Sequence, residues 1–322
     1  MQAGQKTALA GQATAERIIA NLQQVILGKE SELRLALIAL ACQGHMLIED
    51  VPGVGKTMLA KAVAQSIGCS FSRVQFTPDL LPSDITGVSV FSQKSQEFEF
   101  RPGPVMAQIV LADEINRAPP KSQAALLECM AEGQITVDGT RHAMPYPFMV
   151  MATQNPIEYE GTYPLPETEL DRFLLRLTLG YPAAADEIKM LQSQQLAHPI
   201  DSLEQVATQD ELVELQHAVR EIQVSPLVAE YIVSLAGATR DHAQLYLGAS
   251  PRGSLGVFRM AQARALLDGR DFALPDDVKA SIEPALAHRM VLDPSAQSRG
   301  TTMATVIADI LGTVAVPGTL SS

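Results

Sequence analysis

The chain changes its hydrophobic rhythm twice. Across 14–27 apolar residues return with helical period, at Ile18, Ile19, Leu22, Val25 and Ile26, and after a break at Gly28 the pattern resumes through Leu33, Leu37, Leu40 and Ala41. Five short apolar runs follow, at 45–49, 71–75, 109–113, 149–153 and 174–179. Runs that are mainly apolar without strict alternation suit strands covered on both faces. Helical segments at 57–66 and 119–131 fall between them, so this part predicts an α/β unit with a five-stranded, mainly parallel sheet. Beyond Gly180-Tyr181-Pro182 strand candidates run out. Amphipathic helices are predicted at 184–196, 210–222, 227–238, 251–267 and 276–289. Residues 1–180 therefore read as an α/β core and 181–322 as an all-helical second domain, with no repeat or low-complexity segment.

Two local patterns interrupt the core. Residues 135–142 read as a β-hairpin around Asp138-Gly139, a pair that favours a two-residue primed turn. Within 80–104, Phe98 and Phe100 alternate as in a strand.

The run Glu49-Asp50-Val51-Pro52-Gly53-Val54-Gly55-Lys56-Thr57-Met58 follows a predicted strand and opens a predicted helix, the context a phosphate loop requires. Gly53 and Gly55 permit a tight turn with inward N–H groups, and the helix N-terminus aims its positive end at the bound anion. Lys56 supplies a point charge for β- and γ-phosphates, and the Thr57 hydroxyl is placed to ligate Mg²⁺. The general pattern asks for glycine where this chain has Asp50. Taken alone, the run also fits a glycine-rich turn that binds nothing.

A second motif changes that balance. The apolar strand 109–113 ends in Asp113-Glu114. Asp113 can hold Mg²⁺ and Glu114 can polarise an attacking water as general base. The strand 149–153 ends in Gln154-Asn155-Pro156, where the Asn155 amide either reaches the γ-phosphate or the water, or simply opens a turn.

Composition narrows the classes. An apolar share of 47% supports a packed core, and a formal charge of −12 works against non-specific nucleic-acid binding, which rests on phosphate neutralisation by Lys and Arg. Three unpaired cysteines and six scattered histidines show no metal-ligand spacing and suit a reduced, cytoplasmic protein. The first 18 residues lack a secretory apolar region, and the apolar stretch 303–317 contains Asp309 and falls short of the ~20 residues of a membrane span, so a soluble protein is expected.

With these motifs in order, the chain resembles the AAA+ ATPases, and within them the MoxR family. The resemblance rests on 47–57, on Asp113-Glu114-Ile115-Asn116-Arg117-Ala118-Pro119-Pro120-Lys121, on 152–156 and on Glu160-Gly161-Thr162-Tyr163-Pro164-Leu165-Pro166-Glu167, and it runs from about residue 15 to 315. It implies a P-loop NTPase core with a helical lid, ATP and Mg²⁺ as cofactors, and ATP hydrolysis. Asn155 would be the sensor-1 residue and Arg172 the arginine finger that reaches a neighbouring subunit, against a plain Arg172–Asp171 pair within the chain. Arg252 would be sensor 2. Ser250 as N-cap and Pro251 at the first helical position place it in a helix's first turn, where a cation opposes the dipole unless an anion is its partner. A solvated surface arginine is the other reading. Leu27 and Gly28 would read adenine through the backbone, and Arg117 would reach the nucleotide or the adjacent subunit. Residues 80–104 resemble the helix-2 insert and 135–142 the pre-sensor-1 hairpin.

The family also implies a hexameric ring of identical subunits with a chaperone-like role, acting on a client protein through a partner with a von Willebrand factor A domain, with core and lid hinged near 180–183. Two other functions compete: a DNA motor, set back by the acidic balance, and a monomeric small-molecule kinase, which would leave the sensor, finger and lid arginines without a role.

Overall fold

The computed structural model describes residues 3–155, 161–193 and 198–318. In chain order the helices are α1 (Ala3–Leu22), α2 (Glu30–Ala41), α3 (Lys56–Ile67), α4 (Pro82–Thr86), α5 (Pro120–Glu132), α6 (Glu167–Leu170), α7 (Ala184–Ser193), α8 (Gln209–Glu221), α9 (Pro226–Arg240), α10 (Pro251–Leu267), α11 (Pro275–Leu286), α12 (Pro294–Ser298) and α13 (Met303–Thr313). The strands are β1 (Met46–Glu49), β2 (Phe71–Gln75), β3 (Gly87–Ser92), β4 (Glu97–Pro102), β5 (Ile109–Asp113), β6 (Gln134–Val137), β7 (Thr140–Ala143), β8 (Met149–Gln154), β9 (Leu175–Leu177), β10 (Leu245–Leu247) and β11 (Val291–Leu292).

Five strands form one sheet in the order β2-β5-β8-β1-β9, every pair parallel. The apolar runs of the sequence occupy these strands. Because successive residues of a strand face opposite sides, the sheet divides two hydrophobic clusters. Met46, Ile48, Ile109, Leu111, Met149 and Met151 face one, with α1, α2, α3 and the lid helices, while Leu47, Val110, Ala112, Val150 and Ala152 face the other, with Leu126 and Leu127 of α5. Edge strand β2 carries Ser72, Arg73 and Gln75 and leaves most of its positions partly open.

Both β-insertions are hairpins. Asp138 and Gly139 have φ of 48° and 78°, the two positive values a primed turn needs. The β3–β4 hairpin pairs Phe91 with Phe98 and leaves both exposed, and Phe100 stacks on His142 of the other hairpin with ring centroids 3.9 Å apart.

Two boundaries differ from expectation. The first helix runs from Ala3 to Leu22, not over 14–27: the alanine-rich start is a good helix former, and 23–28 turn instead, ending at Gly28 with φ 68°. α1 packs on α3 and also on α8 and α10, with Ile18, Leu215 and Leu266 in one continuous cluster, so it straddles the join between core and lid. The helix expected at 184–196 is α7 as far as Ser193; 194–196 lie outside the described residues. The helical lid also carries the short antiparallel ribbon β10–β11.

Candidate functional site

Parallel strands place all their carboxyl ends on one edge of the sheet, and three of the predicted motifs follow those ends. After β1 the chain enters the glycine loop, where Gly53 and Gly55 hold φ of 87° and 93°. A side chain at either would be strained by the backbone alone. Gly55 caps α3, so the loop delivers its residues to a helix N-terminus, with Val54 and Met58 packed against the core beneath. Asp50, 5% exposed, accepts the Val51 N–H at 2.8 Å and the Gly180 N–H at 2.6 Å. Its carboxylate thus braces the loop against the strand that leads to the lid. Lys56 donates from Nζ to the Asp50 carbonyl at 2.6 Å. Partial burial lowers the Lys56 pKa, and Asp50, Asp113 and Glu114 oppose that shift, which puts three acids within electrostatic reach of the ammonium.

The last residue of β5, Asp113, is almost fully enclosed. Its Oδ1 accepts from Thr153 Oγ1 at 2.6 Å, and its Oδ2 accepts from Arg73 Nη2 and Nε at 2.7 and 3.1 Å. Thr153 Oγ1 in turn accepts the Glu114 N–H at 2.8 Å. One threonine on the neighbouring strand therefore ties the backbone and the carboxylate of the two acids together. Glu114 has φ 58°, a left-handed value that turns it off the end of the strand. Its Oε2 accepts from Gln75 Nε2 at 2.6 Å and lies 3.3 Å from Arg117 Nε. Asn155 follows the last residue of β8, the strand next to β5, and is 7% exposed. Pro156 and Glu160 of the predicted motifs lie outside the described residues.

Leu27 and Gly28 lie close to the same edge. A Cβ on Gly28 would meet Asp186 Oδ2 at 2.1 Å, and the Ile26 side chain approaches Gly55. Lys29 Nζ donates to the Tyr181 carbonyl at 2.9 Å. The 26–29 segment is thus wedged between the glycine loop and the start of the lid.

Arg172 and Arg252 sit elsewhere. Arg172 precedes β9 and so belongs to the amino edge of the sheet, the edge opposite Lys56. It donates from Nη1 to the Leu127 carbonyl at 3.1 Å, and its Nε lies 2.8 Å from Glu169 Oε2 as an ion pair without hydrogen-bond alignment. Arg252, in the first turn of α10, has its Nη1 3.8 Å from Asp171 Oδ2 and is largely exposed. Both line a cavity of about 320 Å³ together with Gly44 and His45 before β1, Arg259 and Arg289. The structure therefore brings together Gly53, Lys56, Thr57, Asp113, Glu114 and Asn155 at one end of the strands, and separately brings together Arg172 and Arg252 at the other, with the length of the strands between the two groups.

The amino-edge cavity is rich in cation. Asp171 is the one carboxylate among its lining residues, facing Arg172, Arg252, Arg259 and Arg289. That carboxylate is already engaged, accepting from Ser250 Oγ at 3.0 and 3.1 Å and from Arg289 Nε at 2.9 Å. Such surplus positive charge suits a phosphate-rich partner.

Sequence reasoning passed over Arg73, Gln75 and Thr153 around the acids, and Asp171 as more than a neighbour of Arg172. Arg73 left a usable trace, since a lone arginine within a strand of a buried sheet asks for an acid on the adjoining strand. Thr153 left none, because its partner depends on β8 lying beside β5.

Residues 45–175 match the model of the ATPase family associated with various cellular activities (AAA), and residues 237–310 match that of an AAA lid domain. YeaC of Bacillus subtilis is 50% identical, covering 94% of this chain and 94% of its own. Chaperone MoxR1 of Mycobacterium tuberculosis is 42% identical, covering 94% of this chain and 82% of its own. A solved Cytophaga hutchinsonii protein, described as a candidate ATPase, superposes with a TM-score of 0.90 at 34% identity over 97% of both chains. An AAA+ core with a glycine loop and paired acids at one edge, a matching lid domain and relatives of this closeness together establish that the chain belongs to the MoxR family of AAA+ ATPases.

Proposed function

We propose that the chain binds ATP with Mg²⁺ at the carboxyl edge of its sheet and hydrolyses it as a ring of identical subunits, six by family expectation, in the cytoplasm. Each ring interface joins the acidic edge of one subunit to the arginine-rich edge of the next. The carrying observation is the separation of Lys56, Asp113 and Glu114 from Arg172 and Arg252 by the sheet, which leaves each half of the machinery incomplete within one chain.

The residues fit the roles. Thr57 and Asp113 offer hard oxygen donors, which suit Mg²⁺, a cation that takes one or two protein ligands and completes its shell with waters and phosphate oxygens. Bound there, Mg²⁺ would neutralise charge on the β- and γ-phosphates. Lys56, now resting on the Asp50 carbonyl, turns to the phosphates when they provide a stronger acceptor. Glu114 accepts the proton of the attacking water once Gln75 releases its Oε2. Asn155 orients that water or the γ-phosphate. Arg172 and Arg252 from the adjacent subunit meet the charge that develops on the transferred group. Leu27 and Gly28 contact the base beside the start of the lid, and the step to ADP is relayed as a hinge change near 180–183.

The work of the ring is to remodel or mature a client protein, engaged through a partner that carries a von Willebrand factor A domain. Support comes from the chaperone name of the mycobacterial relative, and the exposed Phe91 and Phe98 of the β3–β4 hairpin offer an apolar contact for such a partner.

The test is nucleotide retention. Purified wild-type protein holds ATP in the presence of magnesium, and Lys56→Ala binds it roughly 10- to 100-fold more weakly, the loss expected for one charge-assisted contact. Equal affinity of the two proteins measured by calorimetry would remove the phosphate site.

A further inference from the structure

The arginine edge contains a residue that none of the roles above uses. Arg289 follows the C-terminal end of α11, in the lid, and is 5% exposed. Its guanidinium donates from Nε to Asp171 Oδ1 at 2.9 Å, from Nη2 to the Phe173 carbonyl at 2.7 Å and the Asp171 carbonyl at 3.3 Å, and from Nη1 to the Leu174 carbonyl at 3.1 Å and the Ala285 carbonyl at 2.5 Å. Four of these five acceptors lie in 171–174, the segment that carries Arg172. The neighbouring His288 adds a contact to the same Phe173 carbonyl at 3.0 Å.

A buried guanidinium is costly unless its donors are matched, and here each nitrogen has at least one acceptor. Burial pulls the Arg289 pKa down and Asp171 opposes the shift; arginine stays charged in either case. A plain staple between lid and core needs one good contact anywhere along the junction. This one brackets Arg172, holding the residues on both sides of it. Asp171, fixed from one side by Arg289, also accepts from Ser250, the N-cap of α10, and lies 3.8 Å from Arg252 two residues further on. Three chain segments, 171–174, 250–252 and 289, thus meet at a single carboxylate.

We propose that Arg289 is a positioning residue for hydrolysis in the neighbouring subunit: through Asp171 and the 171–174 backbone it holds Arg172 and Arg252 in one rigid assembly, presented together to the adjoining phosphate site. This rests on the reading that those two arginines act across the interface. Arg289 and Arg252 belong to the lid and Arg172 to the core, so a lid rotation about 180–183 must either release the Arg289 contacts or carry the 171–174 segment with it, and in both cases it changes how the two arginines are presented.

The experiment is complementation between variants. Arg289→Lys keeps a buried cation but not the planar fork, and Arg289→Met removes both. Alone, Arg289→Lys hydrolyses ATP at least 10-fold more slowly than wild type, with nucleotide affinity little changed and the protein still folded, though its melting temperature falls because one ammonium cannot serve the five buried acceptors. Glu114→Gln alone is also inactive, yet its own arginine edge is intact. Mixed in equal amounts, Arg289→Lys and Glu114→Gln recover activity, about a quarter of wild type if subunits pair at random around closed rings. Arg172→Ala mixed with Glu114→Gln recovers likewise. If the Arg172→Ala mixture recovers and the Arg289→Lys mixture does not, the positioning role is overturned while the trans reading stands. If neither recovers, the trans reading fails and the positioning role with it. Wild-type hydrolysis by Arg289→Lys and Arg289→Met would also overturn it.

Discussion

The two edges of the same parallel sheet carry opposite chemistry. At the carboxyl edge Asp50, Asp113 and Glu114 surround one lysine. At the amino edge Arg172, Arg252, Arg259 and Arg289 line one cavity with a single aspartate, which pairs with Arg289 and Arg252. The topology explains how this arises. Parallel strands send every strand-to-helix turn to one edge and every return to the other, so the glycine loop after β1 and Arg172 before β9 end up on opposite edges. The difference teaches that one chain keeps its acidic groups and its arginine cluster apart, and on the function proposed above the two halves meet only between copies.

The sharpest way to break the comparison is at the cationic edge. Arg172→Ala should lower turnover by about 10³- to 10⁵-fold, as for loss of other arginine fingers, while ATP affinity of the isolated subunit changes little. Steady-state hydrolysis read beside equilibrium binding checks this, and a parallel fall in both would place Arg172 in its own subunit's site. At the acidic edge Glu114→Gln should cost about 10²- to 10⁴-fold in turnover with ATP still retained, which single-turnover assays resolve. Near-normal rates there would remove the proposed base.

A smaller effect should separate the edges by pH. His45, immediately before β1, and His288, against Phe173, are both buried and both at the amino edge. Burial pushes their pKa values down from 6.5, to about 4 for His45 and about 3 for His288. In the unfolded chain the same groups protonate near 6.5, so the folded state is favoured above that value and loses the contribution as pH falls from 6.5 towards 4. For His45 this amounts to about 3 kcal/mol. Melting temperature should therefore decline steeply between pH 6.5 and 4, and His45→Gln should flatten the decline. A wild-type profile that is level across that interval would contradict the burial of these rings.

Much of this fold was legible in the chain. The apolar runs at 71–75 and 109–113 coincide with β2 and β5, and 251–267 coincides with α10, because each is bounded by turn or cap chemistry that leaves little choice of end. The Asp138-Gly139 turn was equally plain. The first helix was not, since alanines give propensity without a readable stripe, and Gly11 matters only through Leu215 and Leu266 from far along the chain. For the site, spacing named candidates but left their grouping open. That Arg252 adjoins Arg172 and not Lys56 depends on the order β2-β5-β8-β1-β9 and on α10 docking at the amino edge, neither of which leaves a local signature. The partners Thr153 of Asp113 and Arg289 of Asp171 are 40 and 118 residues away for the same reason.

The most direct measurement is ATP turnover per subunit as a function of protein concentration, with ATP binding followed in the same samples. Turnover should rise steeply over the concentration range in which light scattering shows assembly, while the fraction of subunits holding ATP stays level. Turnover per subunit that is constant from the dilute monomer upward would mean that one chain contains a complete site, and the two-edge account would be wrong.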